Sequence, residues 1–394
     1  MNKNWMLDII RNKYPDIKWL KKYLAKDKIR KYTNTMLPND QVERSENDFV
    51  LKQRVVSECQ AKWAKIYAST EKKIRNIIER APSLVNRTDK DDLRIDMLFC
   101  RFAYGFQPDE YLCYELEGKS MQERKAIISD TDRYCYVYRM NDISGLQLFN
   151  NKGRTYEMFK KYYKREAVYL SKRKDYDKFC AFIQKHPVFV RKAVYEGMGR
   201  TIGLVDISTC EMSAQELFQD MLAHGPHIIE ECVIQNEVMA ALNPSSVNTI
   251  RCITLKTSHG IAMPYCFMKI GRLGSFVDNG GAGGILVGID KETGRLNTDG
   301  FDELNIRYES HPESGIRFIG YQLPEWDSML AICKEMSSQV SDVKYIGWDM
   351  AYTDNGWVVI EGNSRGQFIG PQTVFKCGIK AEVESIMADM DLIV

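Results

Sequence analysis

Histidine is scarce in this chain: there are 5 among 394 residues, and only His224 and His227 lie near one another. They flank Gly225-Pro226, a turn pair, and read as a loop feature rather than as metal ligands. Cysteine is present but unpatterned. The 11 cysteines, an odd number without a Cys-x-x-Cys pair, read as reduced packing thiols of a cytoplasmic protein and not as a disulfide framework. Net charge is almost lacking, +2 from 55 basic and 53 acidic residues, so no global field points to nucleic acid. No apolar run approaches the ~20 residues of a membrane span, and Met1-Asn-Lys-Asn-Trp-Met-Leu-Asp8 lacks the apolar core of a secretion signal. Repeats, low-complexity tracts and a Ser/His/Asp or Cys/His nucleophile set are also missing.

What is present is an ordinary globular composition, 44% hydrophobic and 27% charged, long enough for two or three domains. Residues 1–90 read as charged helices, with apolar residues recurring at three and four in Trp5–Ile10 and Trp63–Tyr67. The stretch Asp16–Lys31 is rich in Lys and Arg. It either touches a membrane surface or an acidic partner, or is a solvated helix whose Trp19, Leu20, Tyr23 and Leu24 pack inward. Residues 91–148 read as mixed α/β, broken by Pro108, Gly118 and Gly145. From 149 to 240, a helix at Tyr156–Tyr163 leads to a strand at Pro187–Val194, then a helix from Ser213 to Ala223 and a strand at Ile228–Gln235. From 241 to 394, strands at Thr249–Leu255, Ala262–Ile270 and Ile285–Ile289 precede a helix at Trp326–Gln339 and a hairpin from Tyr345 to Asn363. This mixture predicts an α+β fold with antiparallel sheets behind a mostly helical N-terminal region.

The hairpin carries the strongest chemical signal. Its strands meet at Asp354-Asn355-Gly356, a three-residue turn ending in glycine. Pairing Thr353 with Trp357 then sets Asp349 opposite Glu361, with Asn363 on the same face and Trp348, Met350, Val358 and Ile360 on the other. Directly opposed carboxylates sit roughly 5 Å apart and repel. A bound Mg²⁺ would resolve that conflict, since it takes a few oxygen ligands together with substrate phosphates.

Weaker signals precede it. Lys152 stands before a helix and Lys192 ends an apolar strand; either alone is more often surface charge than a ligand. Gly197, Gly199, Thr201 and Gly203 form a loop after Lys192 that could bring backbone N–H groups to phosphate. That loop is neither a P-loop nor a dinucleotide fingerprint, having no Gly-Lys-Ser/Thr and a different glycine spacing. Glu230 and Glu237 bracket Glu231-Cys232-Val233-Ile234, a strand end able to read adenine by its backbone while a carboxylate takes ribose hydroxyls. Asn248, Arg251 and Arg272 offer donors from neighbouring strands, and arginine suits phosphate. Asp278, Asn279, Gly283 and Gly284 belong to a glycine-rich segment that either admits a substrate or only supports the hairpin.

In this order the residues resemble the ATP-grasp superfamily. Asn243-Pro-Ser-Ser-Val-Asn-Thr-Ile-Arg251, Val277-Asp-Asn-Gly-Gly-Ala-Gly-Gly-Ile285, Ile346-Gly-Trp-Asp349 and Ile360-Glu-Gly-Asn363 are similar to its sugar-transfer-associated family, found with surface-polysaccharide biosynthesis. The resemblance covers roughly residues 90 to 375, and Ala193 stands where such enzymes often have proline. It implies two α+β lobes holding ATP between antiparallel sheets. Lys152 and Lys192 would meet the phosphates, Gly197–Gly203 would be a flap, Glu230 to Val233 would meet adenine and Glu237 the ribose. Asp349, Glu361 and Asn363 would hold Mg²⁺, and Arg251 or Arg272 would stabilise the transferred phosphoryl group. The implied activity is ligation of a carboxylate to an amine or similar nucleophile through an acylphosphate, on a sugar or precursor. Peripheral association with membrane-bound glycan assembly machinery fits the basic helix. The alternatives are a phosphotransferase on a sugar or glycan, and a nucleotide-binding partner of a glycosyltransferase complex.

Overall fold

The computed structural model describes residues 18–195, 202–272, 274–278 and 283–393. The expected helix at Trp5–Ile10 lies outside them. From Lys18 to Tyr163 the described chain forms helices and no strand. The mixed reading of 91–148 is thus corrected, because its breakers serve helices. Pro108 occupies the first turn of the helix Pro108–Cys113, where its missing N–H costs nothing. Gly118 takes a left-handed turn, φ 72°. Gly145 lies inside the helix Ile143–Asn150, where a Cβ would come within 2.6 Å of Val343.

Two sheets follow. β1 (Ala167–Leu170), β2 (Val188–Ala193), β3 (Ile202–Asp206) and β4 (His227–Glu231) form a small antiparallel sheet in the order β1-β4-β2-β3. Its core is the aromatic cluster of Phe179, Phe182, Phe189 and Phe218, supplied by β2 and the helices Tyr176–Lys185 and Ala214–Ala223. Ser213 and Glu216 cap the latter reciprocally, as Ser-x-x-Glu predicts.

The large sheet comprises β5 (Thr249–Thr257), β6 (Gly260–Ile270), β7 (Ile285–Asp290), β8 (Arg295–Phe301), β9 (Arg307–Tyr308), β10 (Tyr345–Thr353) and β11 (Gly356–Asn363). Their order is β11-β10-β5-β6-β7-β8-β9. Cys252, Met268, Trp348, Met350 and Val359 join the core that it shares with the helices Trp326–Ser338 and Lys152–Tyr163. A separate cluster holds Ile253, Leu255 and Tyr345 together with Leu20, Leu24, Val137 and Val383. The first described helix, Lys18–Thr33, therefore buries Leu20 and Leu24, but Trp19 and Tyr23 face outward, 69% and 58% exposed.

The hairpin register differs from the sequence reading in one respect. Thr353 pairs with Gly356 and Tyr352 with Trp357, one residue short of the expected offset. A bulge between the pairs Met350–Val359 and Asp349–Glu361 then restores it, with Ile360 as the extra residue. Asp349 still faces Glu361, but Ile360 leaves the core face and lines a cavity instead.

Candidate functional site

Between the two sheets lies a cavity of about 810 Å³. The large sheet supplies its floor, strand by strand: Glu361 from β11, Asp349 from β10, Arg251 from β5, Lys269 from β6 and Leu286 from β7, with Asp302 just past β8. The small sheet supplies Val190, Lys192 and Glu230, and after Glu231 the chain leaves β4 as Cys232 and Val233, which line the rim.

At the centre two cations bind acids already. Asp349, only 2% exposed, accepts two bonds from Arg251, Nε at 2.5 Å and Nη2 at 2.8 Å, and a third from Lys269 Nζ at 3.2 Å. Burial would raise its carboxyl, but Arg251 and Lys269 outweigh burial and hold it down at about 2. Lys269 also lies 3.6 Å from Asp278, which accepts from the Thr249 backbone N–H at 3.0 Å. Burial pushes the Asp278 carboxyl up despite these partners. Asn363 Nδ2 bridges the opposed acids, 3.1 Å from Glu361 and 3.4 Å from Asp349. The repulsion between Asp349 and Glu361 is thus answered first by Arg251, Lys269 and an amide. Glu361, half-buried, keeps capacity for a further ligand.

Among the described residues no three His, Cys, Asp or Glu side chains converge on a metal-sized position. The available set is two carboxylates and an amide, which suits Mg²⁺ completed by phosphate and water oxygens. Glu361 and Asn363 fit that role better than Asp349, whose oxygens are already engaged.

Nearer the rim, Glu230 is buried between Lys192 at 3.0 Å and Arg165 at 2.6 Å, and these cations carry its carboxyl past the cost of burial to about 2. Its side chain belongs to this ion cluster. The side chain expected at adenine is thus engaged by Lys192 and Arg165, and beyond it the chain at Glu231–Val233 lines the cavity. Arg165 also donates to the Val359 carbonyl at 2.7 Å, tying β11 to the small sheet. Lys152 opens the helix Lys152–Tyr163 and lines the same space, as does Arg365.

Three expected site residues stand elsewhere. Asn248 is fully buried, donating to the Met239 and Asn243 carbonyls and accepting from Ser246 Oγ, so it fixes a turn and has no role as a catalytic donor. Arg272 is engaged by Gly283 O and Asp302, with its guanidinium over the Tyr308 ring; it anchors the glycine segment rather than a phosphoryl group. Glu237 is exposed at the start of the helix Glu237–Leu242, away from the cavity lining. Gly197, Gly199, Thr201 and Asn279 lie outside the described residues. Gly283 takes φ 85°, and both it and Gly284 adjoin β7. Sequence reasoning missed Lys269, Arg165, Arg365 and Ile360. Lys269 left a trace, as the lone charge in the apolar run Tyr265-Cys-Phe-Met-Lys-Ile270.

The model of the family described as sugar-transfer associated ATP-grasp matches residues 132–388. Among curated proteins none matches. Among solved structures, the chain is similar to the ATP-grasp ligase PsnB complexed with minimal precursor, at 11% identity and TM-score 0.40 over 64% of this chain and 63% of that one. It is also similar to N5-carboxyaminoimidazole synthetase from Staphylococcus aureus complexed with ADP, at 11% identity and TM-score 0.42 over 68% and 60%. A third likeness is to D-alanyl-alanine synthetase A from Vibrio cholerae, at 10% identity and TM-score 0.42 over 64% and 68%. The chain spans less than two thirds of the length of the first two.

Proposed function

The chain belongs to the sugar-transfer-associated ATP-grasp family, and from that premise we propose that it is an ATP- and Mg²⁺-dependent ligase joining a carboxylate to an amine or similar nucleophile. The observation that carries this reading is one cavity holding Lys152, Lys192, Arg251 and Lys269 around the Asp349, Glu361 and Asn363 set. In the reaction a substrate carboxylate attacks the γ-phosphorus of ATP, forming an acylphosphate and ADP. The nucleophile then displaces phosphate and loses its proton. No side chain of the protein becomes covalently modified, in keeping with the missing nucleophile set.

The protein's own work is placement and charge. Val233 and Ile360 flank the base, with Cys232 beside them. Lys152 and Lys192 take phosphate oxygens, and Glu230 holds Lys192 in place. Arg251, fixed by Asp349, faces charge that builds on the transferred group, with Lys269 beside it. Glu361 and Asn363 would hold Mg²⁺, and the ion would supply positive charge to offset that of the nucleotide phosphates. The sugar-transfer association in the family's description supports a substrate of surface-polysaccharide biosynthesis, and a cytoplasmic location belongs to the same proposal. The outward Trp19 and Tyr23 on a lysine-rich helix fit peripheral docking to membrane-bound machinery.

The test is ADP and phosphate release from Mg-ATP with uronic acids and amines added singly and in pairs. Release of both products only when acid and amine are together supports the ligase. ADP without free phosphate means transfer of the phosphoryl group to a stable acceptor. Mg-ATP binding without turnover under any pairing favours a nucleotide-binding partner of another enzyme.

A further inference from the structure

Glu361 and Asn363 stand in an awkward place for side chains that must hold a cation. β11 is the outermost strand of the large sheet, paired with β10 alone, and Asn363 is its last residue. A strand end with a neighbour on one side only is where a sheet frays first. Side chains that bind a ligand must stay within about 0.5 Å of their working positions. The end of this hairpin needs a tether that its own ladder does not supply.

The ladder stops early. Its last pair is Gly347 with Asn363, and in the same register Tyr345 would need Arg365 as its partner. The chain turns at Ser364 and Arg365 instead. On one side Tyr345 is paired with Leu255 of β5. Its remaining backbone groups are taken by a single side chain, Asn141. Asn141 Nδ2 donates to the Tyr345 carbonyl at 3.0 Å, and Oδ1 accepts from the Tyr345 N–H at 2.8 Å, so the amide stands in for the missing strand residue. The same Nδ2 donates to the Ser364 carbonyl at 2.8 Å, and the same Oδ1 accepts from the Lys344 N–H at 2.9 Å. Every donor and acceptor of the amide is used, and the residue is fully buried.

A second tether acts one residue later. Arg133 Nη1 donates to the Arg365 carbonyl at 2.8 Å. Arg133 is itself held, by Asp130 at 2.9 Å from its Nε and by the Tyr134 ring, 3.7 Å from its guanidinium carbon. Both tethers come from one element, the helix Asp130–Met140, of which Asn141 is the C-cap. Tyr136, Val137 and Met140 of that helix share a core with Tyr345 and Phe368, so packing fixes it against the sheet. Neither Arg133 nor Asn141 lines the cavity. Two consecutive carbonyls, of Ser364 and Arg365, are thus clamped directly after the strand end that carries Glu361 and Asn363.

We propose that Asn141 and Arg133 are positioning residues for the cation of Glu361 and Asn363, acting through the backbone at Ser364 and Arg365. This rests on the metal assignment under the proposed function. Loss of such outer support costs about tenfold to a hundredfold in metal affinity, although the supporting group never touches the ion. The contacts assigned to Val233, Lys152 and Lys192 lie on other elements and do not depend on the clamp.

The experiment is calorimetric titration of ADP into wild type, N141D and R133M, once with excess Mg²⁺ and once in EDTA, with a melting curve for each protein. Asn141→Asp keeps the acceptor for Lys344 and Tyr345 but turns an oxygen towards the Ser364 carbonyl, where a donor is needed. Arg133→Met removes the second tether while keeping most of the side chain's bulk, and it carries the test if N141D does not fold. Wild type should bind ADP more tightly with Mg²⁺ than in EDTA. Each variant should lose about tenfold or more in affinity with Mg²⁺ and keep wild-type affinity in EDTA. Equal loss in both conditions, or a lower Tm with the gain from Mg²⁺ intact, overturns the proposal, because a purely structural role predicts those results. A wild type in which Mg²⁺ adds nothing overturns the metal assignment beneath it, and ADP that does not bind wild type at all overturns the nucleotide site. Both of those failures show without any variant.

Discussion

At the scale of single residues, Asp349 and Glu361 look alike in sequence and differ in the folded chain. Asp349→Asn removes the partner of two buried cations, and losing one member of a buried pair costs about 3–5 kcal/mol. The expected outcome is a lower Tm as well as lost turnover. Glu361→Gln, at a half-buried position, should abolish turnover with thermal stability nearly unchanged, so paired melting and ADP-release assays separate the two. Acid stability follows from the same groups. Asp349 and Glu230 are both held at about 2, below their ordinary 3.8 and 4.5. Their stabilisation is fully present above those ordinary values and is lost as pH falls towards 2. Urea midpoints should drop through that window, less steeply in Glu230→Gln. The opposition of Asp349 and Glu361 was legible although the counted turn pairing was one residue off, because the bulge at Ile360 restores the offset. Lys269 and Arg165 were not, since their partners are 80 and 65 residues away in the chain. Asn248 was misread because a buried amide serving backbone carbonyls looks, in sequence, like a catalytic one.

Among elements, the bulge at Ile360 decides what the site contains. Deleting that residue would make Glu361 follow Val359 directly in a regular ladder, still opposite Asp349, and would take only the Ile360 side chain out of the cavity. The deletion should weaken Mg-ADP binding without unfolding the protein, measurable by titration and melting. Sequence placed the strands at 249, 262, 285 and 345 well because each is a long apolar run. It missed β1, β3, β8 and β9, which are short, half-exposed or at an edge, where polar and apolar residues mix. It also missed the helices around Pro108 and Gly145, since a breaker at a helix start or under a close packing contact does not break anything.

For the whole molecule, the helical region is part of the architecture. Leu20, Leu24 and Val137 cover Ile253, Leu255 and Tyr345 of the large sheet. A chain beginning at Asp130 would lose Leu20 and Leu24 from that face and is expected to aggregate, as gel filtration would reveal, although it retains the whole of the family-matched span. The internal pairing of the cavity has a last consequence, for ionic strength. Arg251, Lys269, Lys192 and Arg165 each face a carboxylate within 3.2 Å, so little field escapes to steer an anion from bulk solvent. Nucleotide should arrive at a rate set by diffusion and fit, and stopped-flow association of Mg-ATP should change little between dilute buffer and high salt. The cations act only on what has already entered, exchanging an internal counterion for the phosphate of the substrate.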